Sequence, residues 1–410
     1  MQKLNVASLL LFLSVAALSI FGLVMLYSTS GAIHGERLLI KQSIWIGLGV
    51  AGALLLYCLD YRRIGRFSGW LLLVVSLPLV YLALMHLLAR AGMPDAILSQ
   101  FPLASKGATK GAYRWLYFGS FTVQPSEFAK LAIIIFLAHY YGKYPRSVQS
   151  FKRGVWQPML VVGSVLVAIL LGGSLSVTMI TGMVVLGLLF VAGVRLRYLV
   201  LPLLAGALLF LIALLVSPER VSRITSYRNP EAFKADKGYQ LYCSQLALGS
   251  GFWRGIGFNQ SRMKQRYLPE SHTDFILSIV GEELGFAAAV GVMLLYMMLI
   301  SAALMISIYA MDREGMLLAA GIGISIGLHA FIHLGVVSGF VPTTGITAPL
   351  ISYGGSHMLM TWAGIGFLLN ITRVRRITPD PQPESAQRKQ CAGMTTGRGR
   401  CVLNHPFATR

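Results

Sequence analysis

Charged residues are scarce in this chain, and acidic residues are the scarcest. Only 12% of its 410 residues are charged, with 15 Asp and Glu in total, whereas an average soluble domain is about 25% charged. Hydrophobic residues make up 55% of the sequence. Too few polar side chains remain to cover a water-soluble surface, and disordered and collagen-like chains are excluded as well. The composition therefore predicts an all-α integral membrane protein built as one helical bundle.

Cysteine is also rare, and no nucleic-acid-binding module accompanies the basic excess. Cys58, Cys243, Cys391 and Cys401 are scattered, with neither a disulfide framework nor a metal-binding spacing. The net charge of +20 comes mainly from short loops between apolar runs and from the C-terminal tail. Such loops are typical of the cytoplasmic side of a membrane. We therefore expect contact with anionic lipid head groups and no nucleic-acid partner.

Ten apolar segments are candidates for membrane-spanning helices, each of which needs about 20 residues. They are 7–27, 43–59, 69–89, 127–142, 158–172, 176–193, 198–217, 275–310, 314–337 and 347–371. The first is too long for the apolar part of a signal peptide, and the eighth is long enough to begin with a non-spanning piece. An even number of spans places both termini on one side, which its short Lys- and Arg-rich loops mark as cytoplasmic.

Two long loops are predicted on the extracytoplasmic face. They cover 90–126 and 218–274, and the second lies between helices 7 and 8. Residues 373–410 are polar, basic and without apolar periodicity, which is typical of disorder. The predicted organisation is a membrane domain over 1–372, followed by a disordered cytoplasmic tail over 373–410.

Four acidic residues lie in or beside apolar segments, on the side assigned as extracytoplasmic. They are Glu127, Asp274, Glu282 and Glu283. A carboxylate at membrane depth is costly and indicates a functional site by default. The alternative is an ion pair that orders the end of a helix. For Glu282 and Glu283 both interpretations stay open.

The segment around Asp274 has the composition of a reaction site. The basic residues Arg262, Lys264 and Arg266 precede it, and His272 and Thr273 adjoin the carboxylate. The sequence predicts that Asp274 lies at or near the start of a helix, where the dipole stabilises a carboxylate. The basic residues suit a phosphate-bearing ligand, and the carboxylate suits a general base.

A second polar segment opens the fourth apolar run. Pro125 or Ser126 is suited to start a helix after Gln124, and Glu127 and Lys130 share one face because they are three residues apart. The alternative is a simple intrahelical ion pair. Lys106, Lys110 and Arg114 lie upstream, and Trp115 follows the last of them.

A third polar segment, 342–356, interrupts the hydrophobic region before the last predicted helix. It contains two prolines, glycines that include Gly354 and Gly355, and hydroxyls that include Ser352 and Ser356. Breaks of this kind line cavities or ligand sites in membrane proteins. The alternative is a short re-entrant turn that only closes the bundle.

Two further patterns are interpreted as structural. The glycines of 249–257 lack the strand and the lysine of a phosphate-binding loop, so they indicate loop flexibility. His329 and His333 have the spacing of metal ligands on a helix, but the helix is apolar and no glutamate stands between them. We therefore interpret both as packed histidines.

Taken together, these stretches resemble the SEDS family (shape, elongation, division and sporulation). The resemblance rests on 111–115 with 124–127 and Lys130, 238–240 with 249–251 and 255–257, 268–270 and 272–276 with 282–285, and 342–345 through 351–356. Their order and spacing agree with the family from about residue 7 to 372. The wording of 335–337 and 342–345 is closer to the division branch of the family than to its elongation branch.

The resemblance implies a peptidoglycan glycosyltransferase in the bacterial cytoplasmic (inner) membrane. Such enzymes polymerise lipid II on the outer face, at the division site for the division branch. They work with a class B penicillin-binding protein (a transpeptidase) and with other division or elongation proteins. By resemblance, Asp274 matches the essential aspartate of the family, Glu127 and Lys130 match polar residues of its central cavity, and Arg114 and Trp115 match its Arg-Trp pair.

One position departs from the family pattern. The family usually carries an aspartate at the turn between the fifth and sixth helices, where this chain has Ser174 within 172–178. The function of that acid elsewhere in the family is therefore missing or displaced here.

The predicted reaction is an inverting displacement. Asp274 takes the proton from the 4-hydroxyl of the acceptor, whose oxygen displaces polyprenyl pyrophosphate from the donor sugar. The set predicted to contact lipid II and the polyprenyl-linked glycan is Arg114, Trp115, Gln124, Ser126, Glu127, Lys130, Lys264, Arg266, His272, Thr273, Ser352, Gly354, Gly355 and Ser356. The sequence identifies no cofactor, and a divalent cation stays open as a counter-charge for the leaving group. The alternatives are a lipid II flippase or transporter and a non-catalytic divisome scaffold.

Overall fold

A computed structural model describes most of the chain. The described residues are 2–31, 35–98, 101, 113–119, 121–228, 231–233, 238–265 and 267–377. The predicted C-terminal tail from residue 378 onward, Lys106, Lys110 and Arg266 lie outside them.

The described chain consists of helices and one short β-hairpin. The helices are α1 (Gln2–Gly31), α2 (Arg37–Cys58), α3 (Tyr61–Arg66), α4 (Ser68–Arg90), α5 (Asp95–Leu98), α6 (Pro125–Lys143), α7 (Gln157–Leu171), α8 (Leu175–Val191), α9 (Leu196–Leu215), α10 (Pro218–Arg228), α11 (Tyr239–Ser250), α12 (Ile276–Ile308), α13 (Arg313–Val337) and α14 (Gly355–Ile377). The strands β1 (Leu116–Phe118) and β2 (Phe121–Val123) pair antiparallel, with Leu116 opposite Val123.

Each predicted apolar segment corresponds to one long helix, so the predicted all-α membrane architecture is confirmed. Among the described residues, seven helices are long and apolar enough to cross a membrane: α1, α2, α4, Lys152–Leu171 (which contains α7), α9, α12 and α13. The helix α8 is apolar but shorter, and α6 and α14 complete the set of long helices. The number of spans stays a prediction.

The last predicted segment, 347–371, begins too early. Helix α14 starts only at Gly355, because the preceding residues form a compact loop in which Leu350 has a φ of +65°. A left-handed conformation at a leucine is sterically costly, and the contacts of this loop, described below, compensate for it.

The helices α6 and α13 form the centre of the bundle. Helix α13 packs against α6, α8, α12 and α14, while α4 packs against α6 and α7. Helix α2 lies along α14, and α1 lies along α12. Helix α9 is peripheral: it packs against α8 and α10, and none of its residues is buried. The exposed leucines of α9 are therefore suited to contact lipid.

The polar segments predicted from the sequence meet at one end of the bundle. Helices α6, α12 and α14 begin there, and α1 and α13 end there, as side-chain contacts between these termini demonstrate. We call this the site end. The loop between α13 and α14, residues 338–354, lies at the site end and is called the α13–α14 loop.

Candidate functional site

Asp274 lies on the turn that leads into α12, as predicted. Its backbone N–H donates to the carbonyl of Glu270 at 3.1 Å, and the side chain is half-buried. A methyl group built on Gly345, which has a φ of +68°, would lie 3.4 Å from Oδ2 of Asp274. The carboxylate therefore faces the α13–α14 loop at a residue without a side chain.

The α13–α14 loop is attached to the residues that precede Asp274. The Ser352 hydroxyl donates to the Thr273 carbonyl at 2.7 Å. The backbone N–H of Tyr353 donates to the His272 carbonyl at 3.0 Å. Ser352, Thr273 and His272 therefore contribute to the site by fixing the backbone that precedes the carboxylate against the α13–α14 loop.

Two other helices hold the same loop. The Gln42 side chain of α2 donates to the Ser352 carbonyl at 3.2 Å and accepts from the Gly354 N–H at 3.4 Å. The Ser176 hydroxyl of α8 donates to the Thr344 carbonyl at 2.7 Å. The loop is thus well anchored, which agrees with a site lining and also with a structural closure.

The start of α6 meets the start of α14. The backbone N–H of Gln124 donates to the Ser356 hydroxyl at 2.9 Å, and Gly355 lies against the Trp45 ring. Gln124, Gly355 and Ser356 are therefore brought together, while their predicted contact with lipid II stays a prediction. Their contacts fix the relative position of two helices.

Glu127 and Lys130 form the intrahelical ion pair that was the alternative interpretation of their spacing, and they bind two histidines in addition. The Lys130 ammonium donates to Glu127 Oε2 at 2.8 Å and to His329 Nε2 at 2.9 Å. The Nδ1 of His357 lies 2.8 Å from Glu127 Oε2. The imidazoles of His329 and His357 stack, with centroids 4.9 Å apart. We call these four residues the Glu127 cluster.

The Glu127 cluster is buried among the central helices. Glu127 and Lys130 are each 5% exposed, and His329 is 3% exposed. A cavity of about 30 Å³ adjoins all four side chains, which is the space of roughly one water molecule. The sequence prediction missed this role of His329, which it interpreted as a packed histidine, and of His357, which directly follows the polar segment that ends at Ser356.

Arg114 lines a separate small pocket with Ser126 and Ser174. The Nη2 of Arg114 donates to the Gly173 carbonyl at 2.6 Å. The three side chains line a space of about 10 Å³. Within the described part of the chain, Arg114 Nε and Ser126 Oγ are buried without a hydrogen-bond partner. Trp115 follows, half-buried, at the start of the hairpin.

The charge around Arg114 is positive. Burial, together with the positive charges of Arg220 and Arg223, lowers the pKa of the Arg114 guanidinium to about 10. A guanidinium in this setting gains from any anion that reaches it. The pocket is therefore an arrangement of one half-buried cation and two hydroxyls that suits an anionic oxygen.

We expect Ser174→Asp to stabilise the protein. The new carboxylate lies in the Arg114 pocket and supplies an acceptor for Arg114 Nε, which has none in the described part of the chain. A charge-assisted hydrogen bond of this kind is worth about 1.5–3 kcal/mol. The measurement is the thermal unfolding temperature in detergent. Ser174→Asn is the matched control, since it adds similar volume without charge. A Ser174→Asp protein that unfolds no later than Ser174→Asn contradicts the expectation.

Lys264 is enclosed by a third polar group, near the end of α1. Its ammonium donates to Glu283 Oε1 and Ser28 Oγ, both at 2.8 Å, and to Asn259 Oδ1 at 2.5 Å. Glu283 also accepts from the Asn259 N–H at 3.0 Å and the Ser261 N–H at 3.2 Å. Lys264 is 3% exposed and Glu283 is fully buried. We call this group the Glu283 cluster.

Glu282 binds the same loop from the adjacent position. It accepts from the Ser261 hydroxyl and from the Arg262 N–H at 3.1 Å. Of the two open interpretations for Glu282 and Glu283, the structure therefore exhibits the ordering one: both carboxylates hold the loop that precedes α12.

The same loop fills a break in α12. Gly285 has a φ of +78° and interrupts the helix, and the Phe286 N–H donates to the Phe252 carbonyl at 2.8 Å instead of within the helix. A Cβ at Gly255 would lie 2.1 Å from the Glu283 carbonyl oxygen. Two glycines of 249–257, the segment interpreted from the sequence as flexible, are thus needed for close backbone packing: Gly251 lies against the Gly281 carbonyl and Gly255 against the Glu283 carbonyl.

These contacts change the interpretation of the basic residues near Asp274. Lys264 was predicted as a phosphate counter-charge, but its ammonium is neutralised by Glu283, and a phosphate would have to break that ion pair. Arg266 lies outside the described residues. Arg114 is the predicted cation that keeps an unused donor in the described part of the chain.

Comparisons with known proteins agree over nearly the whole chain. The model of the FtsW, RodA and SpoVE family, described as cell cycle proteins, matches residues 8–377. A probable peptidoglycan glycosyltransferase FtsW of Geobacter metallireducens is 35% identical, covering 92% of this chain and 98% of the relative. The stage V sporulation protein E of Bacillus subtilis is 34% identical, covering 90% and 97%.

Solved structures agree with the fold as well. A chain of a peptidoglycan synthase complex, described as coordinating polymerisation and crosslinking, superposes with a TM-score of 0.69 at 28% identity, covering 89% of this chain and 97% of that one. The rod shape determining protein RodA of Thermus thermophilus superposes with a TM-score of 0.61 at 26% identity, covering 89% and 96%.

Proposed function

Since the chain belongs to the FtsW, RodA and SpoVE family of cell cycle proteins, we propose that it is a peptidoglycan glycosyltransferase that polymerises lipid II. The observation that carries the proposal is the half-buried carboxylate of Asp274 at the site end, facing Gly345 of a loop that is anchored to α2, to α8 and to the turn before α12. The name of the FtsW relative, a probable peptidoglycan glycosyltransferase, supports the same activity.

Asp274 acts as the general base. It accepts the proton of the 4-hydroxyl on the acceptor sugar as that oxygen attacks the anomeric carbon of the donor. The bond from the anomeric carbon to the pyrophosphate oxygen breaks, and polyprenyl pyrophosphate leaves with the bonding electrons. The donor is α-linked and the product is β-linked, so a single displacement accounts for the inversion.

Arg114 stabilises the charge of the leaving group. Lys130 and Lys264 are each paired with a buried glutamate, so neither contributes a net positive charge. Arg114 lies beside the positive charges of Arg220 and Arg223, and among the described residues its Nε has no hydrogen-bond partner. Positive groups placed where charge develops supply much of the rate enhancement in such reactions. A divalent cation at the pyrophosphate is the alternative source of this charge.

The protein is a multi-pass protein of the inner membrane. We further propose that both termini are cytoplasmic, so that the site end faces outward, where lipid II polymerisation takes place. Its partners are a class B penicillin-binding protein and other division proteins, and it acts at the division site. The similarity to a chain of a peptidoglycan synthase complex and to FtsW relatives supports this assignment.

A lipid II transporter is the second candidate, and the Glu127 cluster favours it. A charged group buried between membrane helices and beside a cavity is a feature of transport pathways. A non-catalytic divisome scaffold would leave both Asp274 and the Glu127 cluster without a function.

A polymerisation assay tests the proposed function. We expect the purified protein in detergent, together with its cognate class B penicillin-binding protein, to convert lipid II into glycan ladders on a gel. Parallel samples with EDTA, and without the partner, determine whether a divalent cation or the partner is required. A folded complex that yields no ladders, but moves labelled lipid II across vesicle membranes, would replace the enzyme proposal with transport.

A further inference from the structure

The Glu127 cluster contains a ligand set for a transition metal ion. One ligand atom each of Glu127, His329 and His357 lies within 4.8 Å of the other two. Two imidazoles and one carboxylate are a frequent combination for Zn²⁺ and related ions. We propose that a divalent transition metal ion of the Zn²⁺ class binds these three residues, and that the Lys130 ammonium holds the position in its absence. The binding itself does not depend on the proposed enzymatic activity.

His329 is already oriented for binding a metal. Its Nδ1 lies 2.8 Å from the Ser325 carbonyl, and because a carbonyl only accepts, Nδ1 carries the proton. The lone pair is then on Nε2, which faces the Lys130 ammonium. A ligating histidine whose other nitrogen donates to a backbone carbonyl is the usual arrangement at metal sites.

His357 is arranged in the same way. Its Nδ1 lies 2.8 Å from the Glu127 carboxylate, and because an ionised carboxylate only accepts hydrogen bonds, Nδ1 carries the proton and donates. Its Nε2 is buried and has no hydrogen-bond partner in the described part of the chain. Each of the two rings, whose centroids are 4.9 Å apart, therefore carries one unprotonated nitrogen.

Lys130 marks the position where a cation is favourable. Its ammonium is bonded to Glu127 and to His329 at once, at 2.8 and 2.9 Å. An incoming metal ion must displace it, and the adjoining cavity of about 30 Å³ offers the lysine end space to move. Metal and ammonium therefore compete for the same lone pairs.

The ligand types also define which ions bind. Two of the three ligands are nitrogen, whereas Mg²⁺ and Ca²⁺ prefer oxygen ligands. His333 provides an internal control, because it lies one turn further along α13, is fully buried, and binds the Ile346 carbonyl through Nδ1 at 2.7 Å. It is not part of the ligand set.

The test uses the full chain, purified without a histidine tag and treated with a chelator. Co²⁺ is the spectroscopic probe, and Zn²⁺ affinity is measured by competition with a chromophoric chelator. We expect one Co²⁺ per chain with visible d–d absorption that Zn²⁺ abolishes. His329→Gln and His357→Gln are expected to weaken Zn²⁺ binding by about 10- to 100-fold, while His333→Gln binds as the wild type does.

Lys130→Met provides the sharper result. Because it removes the competing ammonium and keeps a similar shape, we expect it to bind Zn²⁺ at least tenfold more tightly than the wild type. Thermal unfolding verifies that each variant is folded. Equal Zn²⁺ affinities for the wild type, His329→Gln and His357→Gln overturn the proposal, as does a folded Lys130→Met protein that binds no Zn²⁺. No lipid II is present, so this outcome is independent of the polymerisation assay.

Discussion

Asp274→Asn is expected to reduce lipid II polymerisation by about 10²- to 10⁴-fold, the usual contribution of a general base. The amide has the size of the carboxylate but cannot take the proton of the acceptor hydroxyl. The side chain is half-buried on a turn whose backbone is fixed by the α13–α14 loop, so the substitution leaves the fold intact. The measurement is the initial rate of glycan ladder formation by the complex in detergent.

Glu270→Gln is the matched control for this prediction. Glu270 lies on the same turn, where its side chain accepts from the Thr273 hydroxyl at 3.0 Å, and we expect its neutralisation to preserve ladder formation. Normal polymerisation by Asp274→Asn would reject the assignment of the base. In cells depleted of the native protein, rescue of growth by Asp274→Asn would point to the scaffold instead.

Glu283→Gln is expected to destabilise the protein by about 3–5 kcal/mol, because it leaves a buried charge without its partner. The Lys264 ammonium is 3% exposed and has Glu283 as its ion-pair partner. Three further donors, from Ser28, Asn259 and Ser261, converge on the same carboxylate. The effect is measured as the loss of unfolding temperature in detergent, followed by intrinsic tryptophan fluorescence.

A double substitution tests whether the loss of stability comes from the unpaired charge of Lys264 or from the changed side chain at position 283. Glu283→Gln combined with Lys264→Met removes both charges, so it is expected to recover a large part of the stability that Glu283→Gln loses. Glu36→Gln, at an exposed carboxylate at the start of α2, is expected to change stability by less than about 0.5 kcal/mol. A Glu283→Gln protein as stable as Glu36→Gln would contradict the structural role of the ion pair.

The helices could be predicted from the sequence because they are long, apolar and separated by basic or polar loops. The boundaries of the helices were predicted less accurately, above all at the loop before α14. The α13–α14 loop continues to residue 354 because Ser352 and Tyr353 bond to residues 272–273, which are distant in the sequence. Hydrophobicity favours a helix there, and only the tertiary hydrogen bonds decide against it.

The site was predictable where its contacts are local in the sequence, and not where they join distant segments. The pairing of Glu127 with Lys130 follows from their spacing of three residues on one helix. The contacts of that pair with His329 and His357 span 199 and 230 residues, so local spacing carries no trace of them. His329 in particular has the pattern of a packed core residue until its neighbour on α6 is known.

The residues that bind the Glu282 and Glu283 carboxylates are synthesised before the carboxylates themselves. Among the described residues, the groups that donate to the Glu282 and Glu283 carboxylates come from Ser28 and from residues 259–264, all of which lie earlier in the chain than α12. When these carboxylates leave the ribosome, all their partners already exist. As α12 enters the bilayer, the groups that neutralise and hydrogen-bond its two carboxylates are therefore already present. Burial of Glu282 and Glu283 does not depend on a segment that is synthesised later.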